Sequence, residues 1–196
     1  MDTLTESYWN NRYQTNDFSW DLGEPAIPLK KYIEQIDNKE LKILIPGAGN
    51  AYEAELLFQL GFKNVYVLDF AETPLLNIKK RSPEFPSHQL IQQDFFEHEG
   101  QYDVIFEQTF FCAINPNLRP QYVQHMRSLL KPNGKLVGLL FNDILNIDHP
   151  PFGGNEVEYN QLFSEDFKMI KIETCYNSIK PREGRELFII MQPKSI

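Results

Sequence analysis

From residue 41 onward the chain repeats one pattern: a short apolar run, a turn or acid at its end, then a segment with helical spacing. Residues 41–45 (LKILI) stop at Pro46-Gly47-Ala48-Gly49, and the helical stretch 51–60 that follows stops at Gly61, a residue that closes a helix without steric cost. Residues 65–68 stop at Asp69 and precede a helix over 73–81. A third run near 88–92 stops at Asp94-Phe95-Phe96, and a fourth, 102–106, stops at Glu107. A helix over 119–130 is ended by Lys131-Pro132-Asn133-Gly134, and residues 135–141 form the fifth run. Strands covered by helices on both faces have no wet side, so near-continuous apolar runs alternating with helices predict a mainly parallel sheet. The last third predicts a short helix near 156–163 and strands over 168–176 and 185–191. The polar stretch 177–184 between those strands marks them as an antiparallel edge pair.

Ahead of the sheet, residues 5–36 are rich in aromatics and predict two short helices, 5–14 and 26–36, joined across Leu22-Gly23-Glu24-Pro25. No repeat or flexible linker divides the chain, and 196 residues suit one domain over 1–196 with a buried core. The net charge of −8 argues against a nucleic-acid partner, which needs a concentrated basic face to displace counterions. The one tight basic run, Lys79-Lys80-Arg81, reads as the last turn of a helix, where cations complement the helix dipole. No stretch reaches the roughly 20 apolar residues that cross a bilayer. The polar N-terminus has no signal-peptide core, and Cys112 and Cys175 are too few for a disulfide framework. The expectation is a cytoplasmic protein with no membrane or nucleic-acid partner. The sequence leaves its oligomeric state open.

In an open parallel sheet, ligands sit beyond the carboxyl ends of the strands. Three features gather there. Gly47 and Gly49 follow the first strand and let backbone approach a ligand without Cβ interference. Asp69 ends the second strand, placed to accept both hydroxyls of a ribose. Asp94 and Phe95 end the third, where a carboxylate meets an adenine amino group and a ring covers the base. Taken singly, Asp69 also reads as an acid near a helix start and Asp94 as a turn former. A dinucleotide site usually needs a third small residue for helix packing around a pyrophosphate, and here Tyr52 stands at that position. The pattern therefore favours a nucleoside without a pyrophosphate, as in S-adenosylmethionine, on a Rossmann-like α/β fold.

Longer motifs carry a resemblance. Trp9, Tyr13 and Trp20-Asp21-x-Gly23, then Ile45-Pro46-Gly47-Ala48-Gly49 and Val67-Leu68-Asp69, fall in a familiar order. The most specific segment is Ile105-Phe106-Glu107-x-x-Phe110-Phe111-Cys112-Ala113-Ile114-x-Pro116-x-x-Arg119-Pro120, followed later by His149-Pro150-Pro151-Phe152. On these residues the chain resembles the thiopurine methyltransferase superfamily, and most of all its plant and bacterial thiol, thiocyanate and halide branch. The resemblance implies a class I S-adenosylmethionine-dependent methyltransferase whose residues 1–36 form a helical lid carrying Trp9, Tyr13 and Trp20 over the cofactor. It implies Glu107 and Gln108 beside the cofactor, Phe110, Phe111 and Phe152 around the acceptor, and Arg119 near both. Tyr13 stands where the family has tryptophan, and Gln108 where the branch has a tyrosine near the active site.

Such an enzyme implies a small-molecule acceptor: a thiol, thiocyanate, halide or selenium compound methylated by in-line displacement. A soft anion needs no proton removed, so no general base is expected, and Arg119 orients acceptor or cofactor. Cys112 lies among apolar residues and reads as a structural thiol. His88, His98, His125 and His149 lack metal-ligand spacing, read as surface or loop residues, and predict no metal. Three other readings stay open: an O- or N-methyltransferase, which needs a base; a cofactor-binding protein without turnover; and a nicotinamide-dependent oxidoreductase.

Overall fold

A computed structural model describes residues 4–195. Residues 1–3 of the expected lid, and residue 196, lie outside the described residues. Two short helices, α1 (Glu6–Gln14) and α2 (Ile27–Ile33), precede the sheet. Then come β1 (Lys42–Pro46), α3 (Tyr52–Gln59), β2 (Asn64–Asp69), α4 (Glu72–Arg81), β3 (Leu90–Gln92) and β4 (Tyr102–Gln108). The chain continues through α5 (Arg119–Leu129), β5 (Leu130–Phe141), α6 (Glu156–Phe163), β6 (Phe167–Thr174) and β7 (Glu186–Pro193).

The seven strands lie in the order β3-β2-β1-β4-β5-β7-β6. Strands β1 to β5 pair in parallel, and β7 is antiparallel to both neighbours. The expected C-terminal antiparallel pair is present, with one refinement: β7 lies inside β6 and pairs with β5. Chain order reverses between β1 and β4, which opens a crevice at their carboxyl ends.

Alternation along each strand builds the two cores. On β1, Ile43 and Ile45 face one side and Leu44 the other, all nearly fully buried. Ile43, Ile45, Val65, Val67 and Val104 pack under α2, α3 and α4 through Leu29, Ala54 and Ile78. Leu44, Leu68, Ile105 and Leu136 pack under α5 and α6 through Tyr122, Met126, Tyr159 and Phe163. Each buried valine, leucine, isoleucine, methionine or phenylalanine contributes about 1.5–3 kcal/mol of transfer free energy.

Helix starts follow local chemistry: Thr5 accepts the Tyr8 N–H ahead of α1, and Asn155 accepts the Glu158 N–H ahead of α6. The third strand is shorter than its sequence predicts. Residues Ser87–Gln89 form a 3₁₀ turn in which the Gln89 N–H donates to the Pro86 carbonyl at 3.0 Å, which takes these residues out of the ladder, and the Gln89 side-chain amide donates to the Lys63 carbonyl at 2.6 Å. Among the described residues no helix is long and apolar enough to cross a membrane.

Candidate active site

The loop after β1 is shaped by close approach. Gly47 and Gly49 have φ of +54° and +52°, and Ala51, at φ +46°, enters α3 in the left-handed region. A Cβ on Gly47 would lie 2.1 Å from the Phe110 ring, and one on Gly49 2.7 Å from the Tyr13 hydroxyl. Both glycines are therefore required by their neighbours as well as by backbone conformation. Asp69, buried at the end of β2, accepts the Gly49 N–H at 3.0 Å and the Ala71 N–H at 2.9 Å. Burial pushes its carboxyl up to about 6 despite these two donors. Beyond β3, Asp94 is exposed and accepts the Phe96 N–H at 2.8 Å, while Phe95 packs 5.1 Å from Phe110.

The N-terminal segment covers these strand ends. Trp9 meets Trp20 edge-to-face at 5.6 Å, Tyr13 meets Trp20 at 5.9 Å, and the Arg12 guanidinium lies 4.5 Å over the Trp20 ring. Asn10 accepts the Thr73 N–H at 3.0 Å, so α1 satisfies a free amide in the first turn of α4. Burial and the Asp69 charge raise the Tyr13 hydroxyl well above its ordinary range.

At the end of β4, Glu107 points inward and organises the following loop. One carboxylate oxygen accepts the N–H groups of Phe110 and Phe111 at 2.9 Å each, and the other accepts the Tyr122 hydroxyl at 2.5 Å. Burial lifts Glu107 to about 7. Through this clamp Phe110 is held against Gly47. The Cys112 thiol donates to the Thr109 carbonyl at 3.3 Å and is pushed up to about 12 by burial and by Glu107, which keeps it protonated. Gln108 leaves its Oε1 buried with no hydrogen-bond partner among the described residues.

These elements enclose a cavity of about 670 Å³. Of the residues singled out from sequence, Trp9, Tyr13, Trp20, Gly47, Gly49, Asp69, Asp94, Phe95, Gln108 and Phe110 all line it. Four do not. Glu107, Phe111 and Phe152 are buried behind the wall, and Arg119 is turned away from it. Arg119 opens α5, donates to Glu158 at 2.6 Å and to the Gly153 carbonyl at 2.8 Å, and lies 4.6 Å over the Phe111 ring. These contacts join α5 to α6 and the loop before it, and its Nε is buried with no hydrogen-bond partner among the described residues, so Arg119 stands outside the cavity lining rather than at the expected place beside acceptor or cofactor.

Of the histidines, His98 and His149 lie in loops as expected, His98 buried and bonded to the Tyr102 hydroxyl at 2.8 Å and His149 exposed at the cavity rim, whereas His125 lies in α5, half-buried against Phe95. Sequence reasoning missed further lining residues: Asn50, Glu53, Phe141 and Arg182. Arg182 is buried, donates to the Trp20 carbonyl at 2.7 Å and to Glu186 at 3.3 Å, and so ties the N-terminal segment to β7. No local pattern announces such a residue, because its partners are distant in sequence. Asn50 was within reach, since it adjoins the glycine loop.

A sequence model of the thiopurine S-methyltransferase family matches residues 4–191. The chain is 30% identical over 184 residues to probable thiol methyltransferase 2 of Arabidopsis thaliana, covering 91% of this chain and 81% of that protein. It is 28% identical over 193 residues to thiocyanate methyltransferase 1 of the same plant, covering 94% and 83%. Among solved structures, 1,6-didemethyltoxoflavin-N1-methyltransferase of Burkholderia thailandensis, crystallised with S-adenosylhomocysteine, superposes with a TM-score of 0.77. That likeness covers 98% of this chain and 88% of the other at 15% identity, and so speaks for the fold.

Proposed function

The chain belongs to the thiopurine S-methyltransferase family and is an S-adenosylmethionine-dependent methyltransferase, and from that premise we propose that it methylates a small soft nucleophile, a thiol, thiocyanate, halide or selenium compound. The residues fit the donor: two glycines at positive φ form the loop after β1 and let Phe110 and Tyr13 pack against it at the cavity wall, and carboxylates stand at successive strand ends. When bound, the donor supplies a methyl group on a positively charged sulfonium. In this reading Asp69 accepts the ribose hydroxyls, Asp94 and Phe95 receive the adenine, and Trp9, Tyr13 and Trp20 close over the donor.

One observation carries the acceptor class. Apolar side chains, Phe110, Cys112, Ile114, Phe141, Leu145 and Pro150, line the cavity beside Gln108, Asn146, His149 and Arg182. A weakly hydrated anion or thiol loses little on entering such a space, and a strongly hydrated one loses much. Phe110, fixed by Glu107, sets the angle of approach. Holding the reactants in line is worth up to about 7–11 kcal/mol of the barrier. Thiol and thiocyanate relatives among the matched proteins support the same class.

His149 favours a second reading. Its ring lies at the rim with Nδ1 3.0 Å from the Pro150 carbonyl, a placement open to proton abstraction from a hydroxyl or amine acceptor. The test is transfer of labelled methyl to a panel of thiols, thiocyanate, iodide and selenium compounds, with His149→Ala in parallel. Methylation of a soft acceptor, unaffected by the substitution, is the expected result. No transfer to any member of the panel, with the donor bound, would reject the soft-acceptor assignment.

A further inference from the structure

The donor has two ends, and the residues above account for one of them. Its adenosyl end meets Asp94 and Asp69; its other end is an amino acid whose ammonium needs an anionic partner in a cavity shielded from water. The end of β1 provides none, because Pro46 stands there. The lid does. Asp21 lines the cavity with a carboxylate fixed by neutral donors: the Gly23 N–H at 2.7 Å, the Asn50 side-chain amide, and the Tyr52 hydroxyl at 3.5 Å. Among the described residues no lysine, arginine or histidine forms an ion pair with it. The guanidiniums that share the cavity are paired elsewhere, Arg12 with Asp17, Arg182 with Glu186 and Arg185 with Asp143.

Position agrees with charge. Asp69 holds the Gly49 N–H, and the next residue, Asn50, donates its side-chain amide to Asp21. The two carboxylates therefore flank neighbouring residues of one loop, and a chain leaving a ribose at Asp69 along that loop arrives at Asp21. A carboxylate offers about four acceptor sites, so three donors leave room for one more.

We propose that Asp21 binds the α-ammonium of the donor's methionyl end, and that this ion pair fastens the lid to the donor. The inference rests on the donor site described above. It separates this residue's role from that of Asp69, which answers the nucleoside.

The test is calorimetric titration with S-adenosylhomocysteine and with its deaminated analogue, which lacks only the ammonium. For the unaltered protein, deamination lowers affinity by about tenfold or more, the worth of a charge-assisted bond. In a neutral variant, Asp21→Asn or Asp21→Ser, the two ligands bind within about threefold of each other, because the partner of the ammonium is gone. In Asp21→Glu, which keeps the charge, the penalty for deamination persists. An equal penalty in the unaltered and neutral proteins would overturn the assignment, since Asp21 would then only shape the loop. So would an unaltered protein that binds both ligands alike. A protein that binds neither overturns the donor site itself and this inference with it.

Discussion

In the proposed donor site, Asp69 serves the fold and a ligand with one carboxylate. Two backbone N–H groups hold it, yet burial raises it to about 6, above the ordinary range for aspartate. The fold thus favours the protonated acid, and the free protein loses stability as pH rises from about 4 to about 6. Ribose hydroxyls donating to the carboxylate favour the ionised form instead. Donor affinity should therefore rise between about pH 5 and about pH 7, with proton release on binding that shows as buffer-dependent heat. Asp69→Asn should bind more weakly and lose the pH slope; a slope that survives the substitution would place the titrating group elsewhere. Arg119 presents the opposite case, a residue singled out by motif whose contacts are all internal. Arg119→Ala strips a charged partner from the Gly153 carbonyl and Glu158. Denaturant unfolding should show a loss of about 1–3 kcal/mol, with donor affinity unchanged within about twofold. A large loss of affinity at full stability would return Arg119 to the site.

The lid and the loop after β4 are the elements that complete the cavity. Helix α1 is held to α4 by the Asn10–Thr73 bond and by the aromatic contacts around Trp20. Removing a cap of this kind costs about 0.5–2 kcal/mol, so Asn10→Ala should speed donor release about fivefold in stopped-flow measurements. An unchanged rate would mean that α1 does not limit release. The Glu107 clamp holds the other wall. Glu107→Ala orphans the buried Phe111 N–H, the part-buried Phe110 N–H and the buried Tyr122 hydroxyl, and unfolding measurements should show about 2–4 kcal/mol lost. Periodicity made most elements legible: the apolar runs and the helical spacings lie within a few residues of their observed bounds. What periodicity cannot carry is partnership. Strand β7 reads the same whether it lies at the sheet edge or between β5 and β6, and Arg182 reads as a loop cation until Trp20 lies beside it. The motif after β4 was legible as a unit, but its sequence does not say which side chains face inward. Glu107 and Phe111 are spent on holding the loop; Gln108 and Phe110 face the cavity.

For the whole molecule, strand order does the decisive work. Reversal between β1 and β4 brings the tips of β1, β2 and β4 to one crevice, and the return of β6 into β7 places Arg182 and its tie to Trp20 on the same side. The acids at 21, 69 and 94 and the glycines at 47 and 49 lie far apart in sequence and line one cavity. The central claim is that these residues hold a single adenosyl donor with its methyl end toward Phe110. A crystal structure of the complex with S-adenosylhomocysteine tests it most directly. The account predicts ribose hydroxyls on the Asp69 carboxylate, adenine against Phe95 within reach of Asp94, and the sulfur facing Phe110. A nucleoside seated elsewhere in the cavity, with Asp69 making no contact to it, would contradict the account.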